Sequence, residues 1–271
     1  MATQSTLLRV MSDAARKAAR QLKRDFGEVE NLLVSKKGPA DFVTRADLAA
    51  EQTLFEELSK ARPGYSFLME ERGAVEGSDR THRWIVDPLD GTTNFLHGLP
   101  HFAINIALER TEPGGATEIV AAVTYNPILD ELFWAEKGRG AFLNNDRRLR
   151  VAQRLKLDEA LLATGIPFAG RPGHAQFLKE LHQVSQRVAG VRRYGSAALD
   201  LAYVAAGRFD GYWERGLKPW DIAAGLLLVQ EAGGKVSGLS EDDDPLTKGD
   251  VLAANLDLHP LALERLRAAQ A

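Results

Sequence analysis

Three acidic positions in this 271-residue sequence sit where apolar runs begin or end. Glu70-Glu71 follows Phe67-Leu68-Met69, Asp87 and Asp90 lie inside the run WIVDPLDGTTNF (84–95), and Asp221 follows Trp220 at the head of a long apolar stretch. Asp87 and Asp90 flank Pro88, so a turn there points both carboxylates into one pocket. Bare, they would repel: at about 4 Å and an effective dielectric near 20 the Coulomb energy is roughly 4 kcal/mol. A divalent cation removes that conflict, and oxygen ligands without His or Cys select a hard ion such as magnesium, calcium or manganese. The amides of Gly91 and Thr92 are expected to open a helix, whose unpaired N–H groups suit a phosphate. One short stretch thus offers both cation ligands and an anion cradle.

Each of these residues also has a purely structural reading. D-x-x-D-G alone is most often a turn with caps, and it is the company of Glu70 and Trp220-Asp221 that favours chemistry. Thr44-Arg45-Ala46-Asp47 matches a capping box before an apolar run, Asp221 fits a plain N-cap, and Glu214 fits a solvated strand end. Other signals carry little. His97 and His101 lack the Glu of a zinc-protease helix. Ser196 lacks the nucleophile elbow, and Gly233-Gly234-Lys235 is not a Walker loop. Arg192-Arg193 is too short for a nucleic-acid patch.

Composition narrows the classes. The chain is 45% hydrophobic, enough for a large core, and its net charge of −3 does not suit a nucleic-acid binder. With no cysteine, disulfides, thiolate nucleophiles and Cys-rich zinc sites are excluded, which fits a reducing cytoplasm. No secretory signal is expected, and the longest apolar run, 222–229, falls well short of the roughly 18 residues a spanning helix needs. The expectation is a cytoplasmic protein with no membrane segment.

The elements that must position these residues follow from periodicity. Leu8, Met11, Ala15, Ala18 and Leu22 mark an amphipathic helix, and a second runs from after Thr44 to about Lys60. Strands are expected at 84–86, ended by Pro88, at 102–108 with period two, and at 119–125 and 131–135. Turns fall at 112–115 and 144–146. Further on, strands are expected at 160–164, 209–213 and 251–254. Helices are expected at 174–188, at 197–206 ended by Gly207, and at 221–232, apolar on nearly all sides and stopped by Gly233-Gly234. Residues 241–245 read as an acidic loop, and Pro260 as the first residue of a last helix. Alternating helices and strands predict an α/β (α+β) protein of stacked layers. A soft boundary near Val151 gives an N-terminal half, 1–150, carrying Glu70 and DPLDGT, and a C-terminal half, 151–271, carrying Asp221.

Four segments resemble the inositol monophosphatases: GPADFVTRAD (38–47), MEERG (69–73), WIVDPLDGTTNFLHGLPHFAINIAL (84–108) and GSAALDLAYVAAGRFDGYWERGLKPWDIAAG (195–225). The C-terminal block looks most like the bacterial inositol-1-monophosphatase branch, some of whose members also act as transcription antitermination factors. The resemblance implies an α-β-α-β-α sandwich of the inositol monophosphatase/fructose-1,6-bisphosphatase type, a homodimer and lithium sensitivity. It implies two or three Mg²⁺ ions: one held by Glu70, Asp87 and the Leu89 carbonyl, a second by Asp87, Asp90 and Asp221, and a weaker third near Glu70. Gly91 and Thr92 would grip phosphate, and Asp47 would orient Thr92. Gly195, Ser196, Ala197, Glu214 and Arg192 would line the alcohol side. The implied reaction is hydrolysis of myo-inositol monophosphate by metal-activated water, without a phospho-enzyme. Fructose 1,6-bisphosphate, histidinol phosphate and 3′-phosphoadenosine nucleotides are rival substrates, since the metal motif is shared among their phosphatases. Glu214 and the 165–173 loop are the segments expected to discriminate.

Overall fold

The computed structural model describes residues 4–26, 34–38, 41–240 and 243–269. Helix α1 (Thr6–Phe26) buries Leu8, Met11, Ala15, Ala18 and Leu22, the stripe its sequence period predicts. An antiparallel hairpin of β1 (Val34–Gly38) and β2 (Asp41–Thr44) leads into α2 (Arg45–Ala61). The capping box forms: Thr44 Oγ1 accepts from the Ala46 and Asp47 amides at 3.0 and 3.2 Å, and Asp47 Oδ2 accepts from the Thr44 amide at 2.9 Å. The cap orients a carboxylate that is fully buried.

A first sheet contains β3 (Tyr65–Met69), β4 (Gly73–Val75), β5 (Asp79–Asp90), β6 (Ala103–Thr111), β7 (Thr117–Asn126), β8 (Glu131–Glu136), β9 (Gly140–Leu143) and β10 (Arg147–Arg148). Its order is β10-β9-β8-β7-β6-β5-β3-β4, antiparallel except between β3 and β5. The one-turn helix α3 (Thr92–Leu96) joins β5 to β6. A second sheet contains β11 (Leu161–Thr164), β12 (Gly190–Arg192), β13 (Gly211–Glu214), β14 (Lys235–Ser237) and β15 (Val251–Ala254), in the order β12-β11-β13-β15-β14. Around it lie α4 (His174–Ser185), α5 (Ala197–Ala205), α6 (Pro219–Glu231), α7 (Pro245–Lys248) and α8 (Leu258–Ala268).

Three cores define five layers. The first joins α1 and α2 to one face of the large sheet, the second packs α5 and α6 between the sheets, and the third holds α8 and α4 on the outer face of the small sheet. The α-β-α-β-α architecture expected from the resemblance is what the chain adopts. Strand β6 shows how it is encoded. Phe102, Ile104, Ile106 and Leu108 face the outer helices, while small Ala103 and Ala107 on the opposite face let α6 approach closely. Its period-two pattern sets large apolar residues against two alanines and Asn105, whose amide group donates to the Trp220 carbonyl of α6 at 2.7 Å. Helix α6, apolar all round, is buried because it lies between two sheets.

Several expectations need correcting. Pro88 does not end its strand: β5 runs on to Asp90, and its pairing with β6 slips between Asp87 and Asp90, which accommodates a residue without an N–H. Helix α4 stops at Ser185, short of Val188, and β13 begins at Gly211 instead of Phe209. Pro260 is the third residue of α8, still inside the first turn where no amide partner is lost. Of the acidic loop expected at 241–245, residues 241–242 lie outside the described ones, and Asp244 caps α7 with its carboxylate on the Thr247 amide at 3.2 Å. Among the described residues no helix is long and apolar enough to cross a membrane.

Candidate metal and phosphate site

The site lies where β5 of the large sheet meets the N-termini of the central helices. Asp87, Asp90 and Asp221 each offer an oxygen, and the three oxygens lie within 4.8 Å of one another. The slip in β5 aims the first two. The Leu89 amide donates to Asp87 Oδ1 at 2.8 Å, closing the turn around Pro88. Ala198 donates its amide to Asp90 Oδ2 at 2.8 Å, and the Ser196 hydroxyl bonds the same oxygen. Asp221 is the third residue of α6 and accepts the Lys218 amide at 2.7 Å. Capping and convergence are therefore compatible roles for it.

Crowding and burial leave their mark on proton affinity. Burial is the main cause that raises Asp87 well above the usual carboxylate range, followed by the neighbouring charges of Glu70, Asp90 and Asp221. Asp221 is raised well above by burial and by Asp90. Burial lifts Asp90 to about 6 against the opposing bonds from Ser196 and Ala198. Carboxylates held this way either keep a proton or share a cation, and a purely oxygen donor set fits a hard divalent ion.

Beside them, Gly91 caps α3 in a left-handed conformation, φ +95°. A Cβ at Gly91 would lie 3.1 Å from the His101 carbonyl oxygen and 3.3 Å from that of Gly195, so only glycine fits this turn comfortably. The Thr92 hydroxyl sits 3.3 Å from Asp47 Oδ1 and 3.1 Å from the Leu89 carbonyl oxygen, either of which can take its one proton. Burial raises Asp47 to about 6 despite its bonds to Thr44.

These groups open onto a cavity of about 710 Å³. Glu70, Asp90, Gly91, Thr92, Gly195, Ala197, Glu214 and Asp221 line it, with residues of the 165–173 loop, whose Gly165 lies against Glu214; Asp87 is buried and does not itself line it. Asp47 and Leu89 stand behind Thr92. Two expected contacts are placed differently. Ser196 is buried under Asp90, which it positions as the N-cap of α5. Arg192 does not line the cavity: it ends β12 exposed, its guanidinium on the Val191 carbonyl, and Arg193 lines the wall in its place.

A model of the inositol monophosphatase family matches residues 3–271. The chain belongs to the inositol monophosphatase family. As a member it is a phosphatase. It is 69% identical to an inositol-1-monophosphatase of Caulobacter vibrioides over 96% of this chain and 100% of that one. It is 44% identical to the Nus factor SuhB of Escherichia coli K12, over 92% and 91% of the two chains. The crystal structure of the extragenic suppressor protein suhB from Bartonella henselae superposes with a TM-score of 0.92 at 54% identity, covering 97% and 99%.

Glu214 is no solvated strand end in this family member. The Tyr212 hydroxyl bonds its carboxylate, and burial lifts it to about 7. Other residues that hold the site were invisible at the level of motifs. The Asn94 amide group donates to the carbonyls of His101 and Tyr194, both at 2.7 Å, tying the Gly91-Thr92 turn to the segment that precedes Gly195. Glu51 accepts the Glu71 amide at 2.8 Å and so fixes the Glu70 turn; its signal is a charge at helical spacing from Asp47 and Leu54 on the buried face of α2.

Proposed function

We propose that this chain is a Mg²⁺-dependent phosphomonoesterase acting on myo-inositol monophosphate, releasing inositol and phosphate. The observation that carries the reading is the convergence of Asp87, Asp90 and Asp221, with Glu70 on the same cavity, beside the Gly91-Thr92 turn. Glu70, Asp87, Asp90, Asp221 and the Leu89 carbonyl would hold two or three Mg²⁺ ions. Bound there, the ions supply Lewis-acid charge that lowers the pKa of water and offsets the charge of the transferring group. Thr92 Oγ1 would accept a water proton while its own goes to Asp47, a base raised toward neutrality; the 3.3 Å contact between them supports this relay. The Gly91 and Thr92 amides hold phosphate oxygens, and Gly195, Ala197 and Glu214 face the polyol. The two halves, 1–150 and 151–271, then share the work, with Asp221 and the alcohol side coming from the second. Relatives named inositol-1-monophosphatase at 59–69% identity support this substrate over other small phosphate esters.

The test is phosphate release from inositol 1-phosphate, fructose 1,6-bisphosphate, histidinol phosphate and a 3′-phosphoadenosine nucleotide, with Mg²⁺ and with EDTA. Inositol 1-phosphate should lead, EDTA should abolish turnover, and lithium should inhibit it. No Mg²⁺-dependent release from any ester would end the reading. The enzyme is expected to be a cytoplasmic homodimer, which light scattering checks for the oligomer. A second role as an antitermination partner is favoured by the 44–46% identity to SuhB factors. Pull-down of RNA polymerase by the folded Asp90→Asn variant tests it, and no capture removes it.

A further inference from the structure

The segment between Glu214 and Asp221 joins the alcohol side of the cavity to its cation side, and one arginine anchors it. Arg215 Nε meets Glu180 Oε1 at 2.7 Å, and Nη1 meets Asp250 Oδ2 at 2.6 Å. Glu180 belongs to α4, whose Phe177 lines the cavity, and is itself 1% exposed. Asp250 precedes β15, and its second oxygen takes the Gly216 amide at 3.0 Å. The next residue, Leu217, donates its amide to the Gly249 carbonyl at 2.8 Å. A Cβ at Gly249, φ +76°, would stand 2.1 Å from the Leu217 carbonyl oxygen, so the two segments lie in contact. The planar guanidinium thus fixes three elements in register: α4, the end of β13, and the approach to β15.

We propose that Arg215 is a positioning residue, which sets the distance between Glu214 and Asp221 and holds the α4 wall against them. The inference rests on the phosphatase reading above. Lysine keeps the charge but, as a point donor on a flexible stem, does not reproduce the two-carboxylate fork. In R215K, KM for inositol 1-phosphate should rise about tenfold with kcat within about threefold, as expected for displaced contacts in a folded enzyme. Calorimetry of Mg²⁺ binding to the metal-free chain should show about fivefold weaker binding, since Asp221 sits at the far end of the segment. D250N keeps the Arg215–Glu180 bond but, with one acceptor oxygen and no charge, cannot hold both Arg215 Nη1 and the Gly216 amide; it should shift both constants in the same direction, and it carries the test if R215K does not fold. A folded variant with only a lowered Tm, and with KM and Mg²⁺ affinity at wild-type values, overturns the proposal. If the wild-type chain itself hydrolyses none of the esters, the phosphatase reading fails, and the Mg²⁺ titration alone decides for or against Arg215.

Discussion

The Asp90 carboxylate accepts the Ala198 amide at 2.8 Å across 108 residues of chain, and the Ser196 hydroxyl bonds the same oxygen. The start of α5 therefore holds the end of β5, and the carboxylate is aimed by a helix terminus remote in sequence. Asp90→Asn keeps the shape and loses the charge. The fold should persist, and turnover should fall by at least about 10²-fold, comparable to removal of one electrostatic stabiliser. Ser196→Ala leaves the Ala198 bond, so its turnover should fall less, by about tenfold, with about 1 kcal/mol of stability lost with the N-cap. Steady-state kinetics beside thermal melts separate the two effects. Full Mg²⁺-dependent activity in Asp90→Asn would remove Asp90 from the site.

Stability without metal should depend on pH in a set direction. Asp47 and Asp90 are raised from 3.8 to about 6, and Asp87 and Asp221 are raised well above the usual range. The folded chain therefore binds protons that the unfolded chain has released above pH 3.8. Stability from these groups is present below that pH and is lost as pH rises through about 6. A divalent cation offsets the loss, so the rise in Tm on adding Mg²⁺ should be larger at pH 7.5 than at pH 5.5. At a hundred times Kd the gain is about 2.7 kcal/mol. Asp87→Asn should blunt this dependence; an equal Mg²⁺ shift at both pH values in the wild-type chain would contradict the assigned cluster.

Motifs identified the carboxylates because their types and spacings are local facts. Asp87 and Asp90 sit around a proline, and Asp221 heads a helix too apolar to be anything but central. Stacked layers of helix and sheet were legible from the periodicities, and their α-β-α-β-α order from the resemblance, but the alanines that let α6 approach β6 were not. What failed to show was whatever register decides. Arg192 and Arg193 are adjacent, and in extended chain neighbours face opposite ways, so which one reaches the cavity depends on how β12 pairs with β11. The resemblance implied Ser196 as a cavity residue beside Gly195 and Ala197, yet its place as N-cap turns it inward. Nothing in the sequence marks Arg215, because its partners Glu180 and Asp250 come from α4 and the approach to β15.

His259 gives a second pH effect, away from the site. It is buried, its Nδ1 has no hydrogen-bond partner, and Nε2 lies 2.9 Å from Ser237 Oγ. Burial first, and then the charge of Lys235, hold it down to about 4 from 6.5. The unfolded chain binds this proton between those values and the folded chain does not. Its contribution is therefore complete above pH 6.5 and is lost as pH falls toward 4. His259→Gln should flatten the decline in urea midpoint between pH 7 and pH 5. An unchanged slope would mean that the imidazole titrates alike in both states.

Glu214 and Gly165 offer a test of the alcohol side that leaves the fold alone. A Cβ at Gly165 would stand 1.9–2.0 Å from the Glu214 carboxyl atoms. That group ends a flexible side chain, so Gly165→Ala should displace it and spare the backbone. The displaced carboxylate also loses the Tyr212 hydroxyl. Asp87, Asp90 and Asp221 are untouched, so Mg²⁺ affinity should stay at the wild-type value. KM for inositol 1-phosphate should rise about tenfold, roughly the worth of one hydrogen bond to a charged group. Glu214→Ala should give the same KM, and the double variant should add nothing, because both changes remove one contact. An additive double variant would show that Gly165 acts on the substrate by another route. An unaltered KM in Glu214→Ala would take Glu214 out of polyol recognition altogether.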